Sequence, residues 1–189
     1  MFRHSHVTEL RQAGFALTEI LVVLALMAVI MGIGIGSFAN EMATAQGDAD
    51  MNIVYWELKL ARETAINQRR SVQVVFTQPN FISIVRQNIP NGTTVISTAV
   101  LEHHATFMLF PGMPDTPDRF GDQTAIDFGN AQQVMFTADG LLTDQNGNLV
   151  NGSIFIGEVN KPMSARAITV FAPTAGIRTY RWTGSSWRH

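Results

Sequence analysis

From Ile20 to Ala39 the chain reads ILVVLALMAVIMGIGIGSFA, twenty residues without a charge. Wound as a helix at ~1.5 Å per residue, such a segment is about 30 Å long, the thickness of a bilayer core. Arg3 and Arg11 precede it, and the next basic residue is Lys59. The positive-inside rule then puts the N-terminus in the cytoplasm and everything after Ala39 across the membrane. An ordinary signal peptide cut after Ser37-Phe38-Ala39 is the alternative, but the apolar run exceeds the usual h-region of roughly 7–15 residues.

The rest of the 189 residues suit one compact domain plus this appendage. With 46% hydrophobic and 15% charged residues, a disordered polyampholyte is excluded. The absence of cysteine excludes a disulfide scaffold, a thiolate metal site and a cysteine nucleophile. Thirteen basic against fifteen acidic residues give no general signature of nucleic-acid binding.

The residues before the apolar run carry a pattern: Arg11-Gln12-Ala13-Gly14-Phe15-Ala16-Leu17-Thr18-Glu19-Ile20. A short basic leader ending in Gly, then Phe, then Glu at the head of a long apolar helix, resembles the class III signal of type IV pilins and type II secretion pseudopilins. Gly14, Phe15 and Glu19 stand at that family's spacing, whereas Ala16 and Thr18 depart from its commonest residues. The resemblance implies that a prepilin peptidase cuts between Gly14 and Phe15 on the cytoplasmic side and methylates the new Phe15 amine. It further implies that Glu19 pairs with the Phe15 amine of a neighbouring subunit in a filament. A carboxylate at mid-membrane costs ~2.5–3.5 kcal/mol, so such a pairing has a physical motive. In the monomer Glu19 would sit at the cytoplasmic headgroup level. Gly32, Gly34 and Gly36 weaken the apolar helix by roughly 1 kcal/mol each and read either as a flexible stretch or as glycines that lipid simply tolerates, with Gly32-x-x-x-Gly36 a candidate close-packing face.

Beyond the apolar run, Met51, Val54, Leu58, Ala61 and Ala65 recur at helical spacing, with Glu57, Lys59, Arg62 and Glu63 off that stripe. An amphipathic helix is expected to continue there, bent near Gly47-Asp48 and ending near Arg69-Arg70, with a Lys59–Glu63 pair on its surface. The stretch from Leu58 to Phe76, LKLARETAINQRRSVQVVF, resembles the GspH/FimT branch of the pilin family, matching at Leu58, Ala61, Arg62, Ala65 and Ile66. Strands are then expected at 72–77 and 81–85 as a hairpin, and at 94–100, 105–110, 125–128, 134–137, 153–157, 167–171 and 177–183. The order Phe136-Thr137-Ala138-Asp139-Gly140, Ile154-Phe155-Ile156, Ile168-Thr169-Val170 and Gly176-Ile177-Arg178 again resembles the GspH/FimT domain. The expected fold class is therefore α+β, a long N-terminal helix on antiparallel sheets. Its divisions are a cleaved leader at 1–14, a transmembrane and filament-core helix at 15–39, an amphipathic continuation at 40–70 and a periplasmic β-rich domain at 71–189.

No catalytic or metal motif stands out, so the reading is not an enzyme and has no cofactor. Asp144-x-Asn146-x-Asn148 has the start of a calcium loop but Leu149 and Phe155 where that loop needs Gly and Glu, so a turn on Asn146-Gly147 is expected. His103-His104 lacks a spaced third ligand. Asp115, Asp118 and Asp122 around Arg119 read as a solvated loop.

Charge, however, is segregated. Residues 101–158 hold eight acids and one arginine, while 159–189 hold Lys161, Arg166, Arg178, Arg181 and Arg188 with no acid. Such blocks orient neighbours or steer a polyanion. Trp182 and Trp187 among these arginines suit stacking on bases. Some FimT-type pilins bind DNA through a C-terminal Gly-Arg-x-Arg motif. Gly176-Ile177-Arg178-Thr179-Tyr180-Arg181 does not reproduce it, and strand alternation would place Arg178 and Arg181 on opposite faces. Arg166, Arg178, Arg181 and Arg188 are therefore candidate subunit or DNA contacts, DNA being the weaker. The resemblance implies a minor pseudopilin of a type II secretion system near the pseudopilus tip, partnered by the prepilin peptidase, the inner membrane and other pseudopilins. The alternative is a FimT/FimU-like minor pilin of a type IV pilus.

Overall fold

The computed structural model describes residues 17–129, 131 and 133–189, with the side chains of 33–37 outside that description. Gly14 and Phe15 therefore lie outside the described residues. The chain divides into two units, Met1–Ala39 and Asn40–His189.

Within the first unit the described residues are helical, the start of α1 (Leu17–Gln68). Its apolar side chains are exposed on every side, from Leu17 at 76% through Leu24 at 56% to Ile30 at 69%. The expected span at 20–39 runs through the undescribed side chains of 33–37. Among the described residues, no helix is long and apolar enough to cross a membrane.

The second unit holds every buried core residue among those described, so residues 40–189 carry a complete core. The α1 stripe is as expected: Val54, Leu58, Ala61 and Ala65 are buried and Met51 packs against them. It extends backward through Ala43, Gly47 and Asp50, all buried. At the expected bend, Gly47-Asp48, α1 stays helical. A Cβ there would lie 2.4 Å from the Ser164 carbonyl oxygen, so the glycine serves close approach of helix to strand. The helix ends after Gln68, with Arg69 in the left-handed region at φ 50° and the Arg70 N–H donating to the Ala65 carbonyl at 3.1 Å. That closure satisfies the last carbonyls as a Schellman turn does. Lys59 stands 4.9 Å from the Trp56 ring centroid rather than pairing with Glu63.

Two antiparallel sheets follow. The first has the order β3 (Thr93–Val100), β2 (Phe81–Gln87), β1 (Val72–Thr77), β6 (Val134–Phe136), β7 (Leu142–Asp144). The second has the order β11 (Trp187–Arg188), β10 (Gly176–Trp182), β9 (Lys161–Phe171), β8 (Gly152–Glu158), β4 (Thr106–Phe107), with β5 (Ile126–Asp127) also on β8. The α+β expectation thus holds. The first core cluster joins α1 to both sheets: Leu58 and Ala61 from the helix, Val72 and Ile84 from one sheet, Ile154 and Ile168 from the other. A second cluster, of Phe155, Ala165, Ala167, Tyr180, Trp182 and Trp187, fills the opposite face of the second sheet under Leu109, Phe110 and Met113 of the loop after β4. Trp182 and Trp187 are consequently core residues, 8% and 9% exposed, and not surface platforms for bases.

Candidate functional site: the apolar helix and the arginine clusters

Glu19 is the acid of the first turn of α1 and is exposed among exposed apolar neighbours. A helix apolar on all sides is stable in water only when something covers it.

The C-terminal arginines are not one cluster. Arg166 and Arg181 are paired across β9 and β10 and point to the α1 side of the sheet. Arg166 is 0% exposed, its Nε donating to Asp48 Oδ1 at 2.6 Å and its Nη2 to the Thr44 carbonyl at 2.6 Å. Its Nη1 donates to the carbonyls of Met163 and Ala165 at 3.0 and 2.8 Å. Burial lowers its pKa, with the Asp48 carboxylate acting in the opposite direction. Arg181 closes on the other oxygen of Asp48. Asp48 is thus shared by two arginines, and Arg166 is inaccessible to any partner. This corrects its place in the candidate contact surface.

Arg178 points to the other face, where it binds Asp118. Asp118 also accepts hydrogen bonds from Thr169 Oγ1 at 2.6 Å and the Tyr180 hydroxyl at 2.9 Å. Its side chain is only 9% exposed, so Asp118 departs from the expected solvated loop and ties it as a strap over the second core cluster, while Arg119 stays exposed. Trp187 Nε1 donates to the Pro114 carbonyl at 2.7 Å and fastens the same strap. Burial raises the Asp118 carboxyl, but the bonds from Thr169, Tyr180 and Arg178 outweigh it and hold the pKa below the ordinary value. The stabilisation is accordingly complete above the ordinary aspartate pKa and is lost as pH falls through the depressed one. Asp118→Asn should cost about 1–2 kcal/mol at pH 7. In denaturant titrations at several pH values, the difference from wild type should shrink below the ordinary aspartate range; a constant difference would refute the charge-based strap.

Arg188 is exposed and, with Arg181, Thr179, His189 and Met51, lines a concave site of about 510 Å³. The basic block is therefore matched by acids in space, two of them from residues 101–158 and the third, Asp48, from α1. Arg178 meets Asp118, Arg166 and Arg181 meet Asp48, and Lys161 meets Glu158 at 2.7 Å.

The remaining polar candidates are turn and core residues. Asp144 Oδ1 accepts the N–H groups of Asn146 and Asn148, both at 2.8 Å, forming the expected turn with Gly147 at φ 84°. His103 and His104 occupy a turn at left-handed φ, and His103 Nδ1 lies 3.6 Å from Asp50 Oδ2. Asp50 is 1% exposed and accepts the Glu102 N–H at 2.7 Å; burial raises its pKa. Among the described residues, no three His, Cys, Asp or Glu side chains gather as a metal site requires. Composition hid Asp48, Asp118 and Gly47. Extending the α1 stripe backward by 4 and 3 residues from Val54 would have found Asp50 and Gly47 on its buried side.

No protein-family model and no curated protein sequence matches the chain. Among solved structures, the chain is similar to one of the minor pseudopilin EpsH from the type II secretion system of Vibrio cholerae, at TM-score 0.49 and 12% identity over 72% of this chain and 97% of that one. A second structure of the same Vibrio cholerae pseudopilin aligns at TM-score 0.48 and 13% identity, over 77% of this chain and 97% of the other.

Proposed function

We propose that the chain is a minor pseudopilin of a type II secretion system, a structural subunit at or near the tip of a pseudopilus. The observation that carries this is the sequence Gly14-Phe15 with Glu19 at the head of a long uncharged helix whose described apolar side chains are all exposed. An unpaired apolar helix of this kind is covered first by lipid and then by the helices of neighbouring subunits. In this reading the prepilin peptidase cuts after Gly14 and methylates Phe15. The helix anchors the chain in the inner membrane with its N-terminus cytoplasmic. Residues 40–189 fold in the periplasm and contact other pseudopilins. The rival reading, a DNA-binding minor pilin, is weakened because Arg166 is buried and Arg178 and Arg181 are already held by acids.

Glu19 gives the test. Glu19→Ala should insert in the membrane at wild-type levels yet enter filaments poorly, because the neighbour's Phe15 amine loses its carboxylate. Disulfide or photo-crosslinking between neighbouring helices in intact cells measures incorporation; wild-type crosslinking by the variant would exclude the pairing role.

A further inference from the structure

Most edges of the two sheets are blunted. β7 is three residues long and carries Asp144, β11 is two and carries Arg188, and β4 and β5 are two residues each. Short, charged edges are the usual protection against strand pairing between molecules. β3 is the exception. Its eight residues, TTVISTAV, include no charge, no proline and no glycine, and most are β-branched. Among the described residues it pairs only with β2, in a register interrupted once, at Ile84/Val85. Val95 and Val100 are 58% and 49% exposed, so apolar side chains accompany the unpaired backbone edge.

The two ends of β3 differ in charge. Thr94 lies beside Arg86 of β2, and Arg86 lines a concave site with Arg70, Asn88, Ile89 and Asn91. Arg86 donates to the neutral Gln68 and Asn88 side chains at 2.6 and 3.2 Å, and Arg70 Nη1 is buried with no hydrogen-bond partner. Among the described residues, neither arginine forms an ion pair. Just past the other end of the strand, Glu102 is exposed. Two copies of β3 set antiparallel about a two-fold axis bring the arginine end of each toward the Glu102 end of the other. Parallel pairing would bring like charges together.

We propose that β3 is a self-pairing edge, through which two copies of this chain join their first sheets antiparallel into one continuous sheet. Main-chain hydrogen bonds across the two β3 strands supply the affinity, as in strand addition generally. The uncharged strand imposes no repulsion, and the Arg86/Arg70 and Glu102 ends select the antiparallel sense.

Sedimentation equilibrium on residues 40–189 tests this, since that unit carries the complete core. The wild-type domain should show a monomer–dimer equilibrium. The double variant Val95→Lys/Val100→Lys, with both sites exposed and the far-UV circular dichroism and melting unchanged, should weaken the dimer at least about tenfold. Arg86→Glu and Glu102→Arg should each weaken it by roughly threefold, and the two combined should recover most of the loss. A wild-type domain that stays monomeric up to about 1 mM overturns the proposal. So does a dimer indifferent to the lysines, or a charge swap in which the combined variant is no better than the singles.

Discussion

Asp48→Ala should destabilise residues 40–189 by about 3–5 kcal/mol, because it strands a fully buried arginine without its counter-charge. Asp48 itself is the more accessible partner, at 27% exposure against 0% for Arg166. The asymmetry makes a sharper expectation. Arg166→Met removes the buried charge together with its need for a partner and leaves Asp48 still held by Arg181. Replacing a buried ionic group by an apolar one of similar volume is often close to neutral. The carbonyls of Thr44, Met163 and Ala165 lose their donor in that variant, each costing on the order of 1 kcal/mol. Asp48→Ala should therefore exceed Arg166→Met in denaturant unfolding. An Asp48→Ala domain as stable as wild type would mean that the pair does not hold α1 to β9.

Gly47→Ala is the second large effect, and two terms compete in it. Alanine in a helix interior gains about 1 kcal/mol over glycine. Against that gain, the added Cβ would stand 2.4 Å from the Ser164 carbonyl oxygen and 3.1 Å from its Cα. Both are backbone atoms of β9, which Ser164 fastens locally through its hydroxyl bonds to the Glu158 N–H and the Lys161 carbonyl. Forcing an extra methyl into such a contact costs roughly 1–3 kcal/mol, occasionally more, and the helix must shift bodily to relieve it. A net loss of about 1–2 kcal/mol is the expected balance. A melting temperature raised by Gly47→Ala would contradict the close approach of α1 to β9 at this position.

The architecture was largely legible because its signals are local. The stripe through Val54, Leu58, Ala61 and Ala65 gives the helix face, and the alternation around Pro79-Asn80 gives the first hairpin. What escaped was too short to carry a pattern or depended on partners distant in sequence. β7 and β11, at three and two residues, are too short to show a period. β9 begins at Lys161, six residues before the expected strand. Pro162 argues against a strand there, yet β10 pairs with β9 only from Phe171 back to Arg166, so Pro162 lies outside that pairing. Gly47-Asp48 read as a bend because propensity sees a weak helix former and not the strand packed against it. The acidic and basic blocks read as separate fields for the same reason. Asp48 and Asp118 lie 118 and 60 residues from the arginines Arg166 and Arg178 that they hold.

The pseudopilin reading rests on processing at Gly14-Phe15, and the N-terminus of the mature chain tests it most directly. Expressed in a bacterium with an active prepilin peptidase and purified from its membrane fraction, the chain should begin at N-methylated Phe15 by mass spectrometry and N-terminal sequencing. A chain beginning at Asn40, as an ordinary signal peptidase would leave it, or one retaining Met1, would contradict the account.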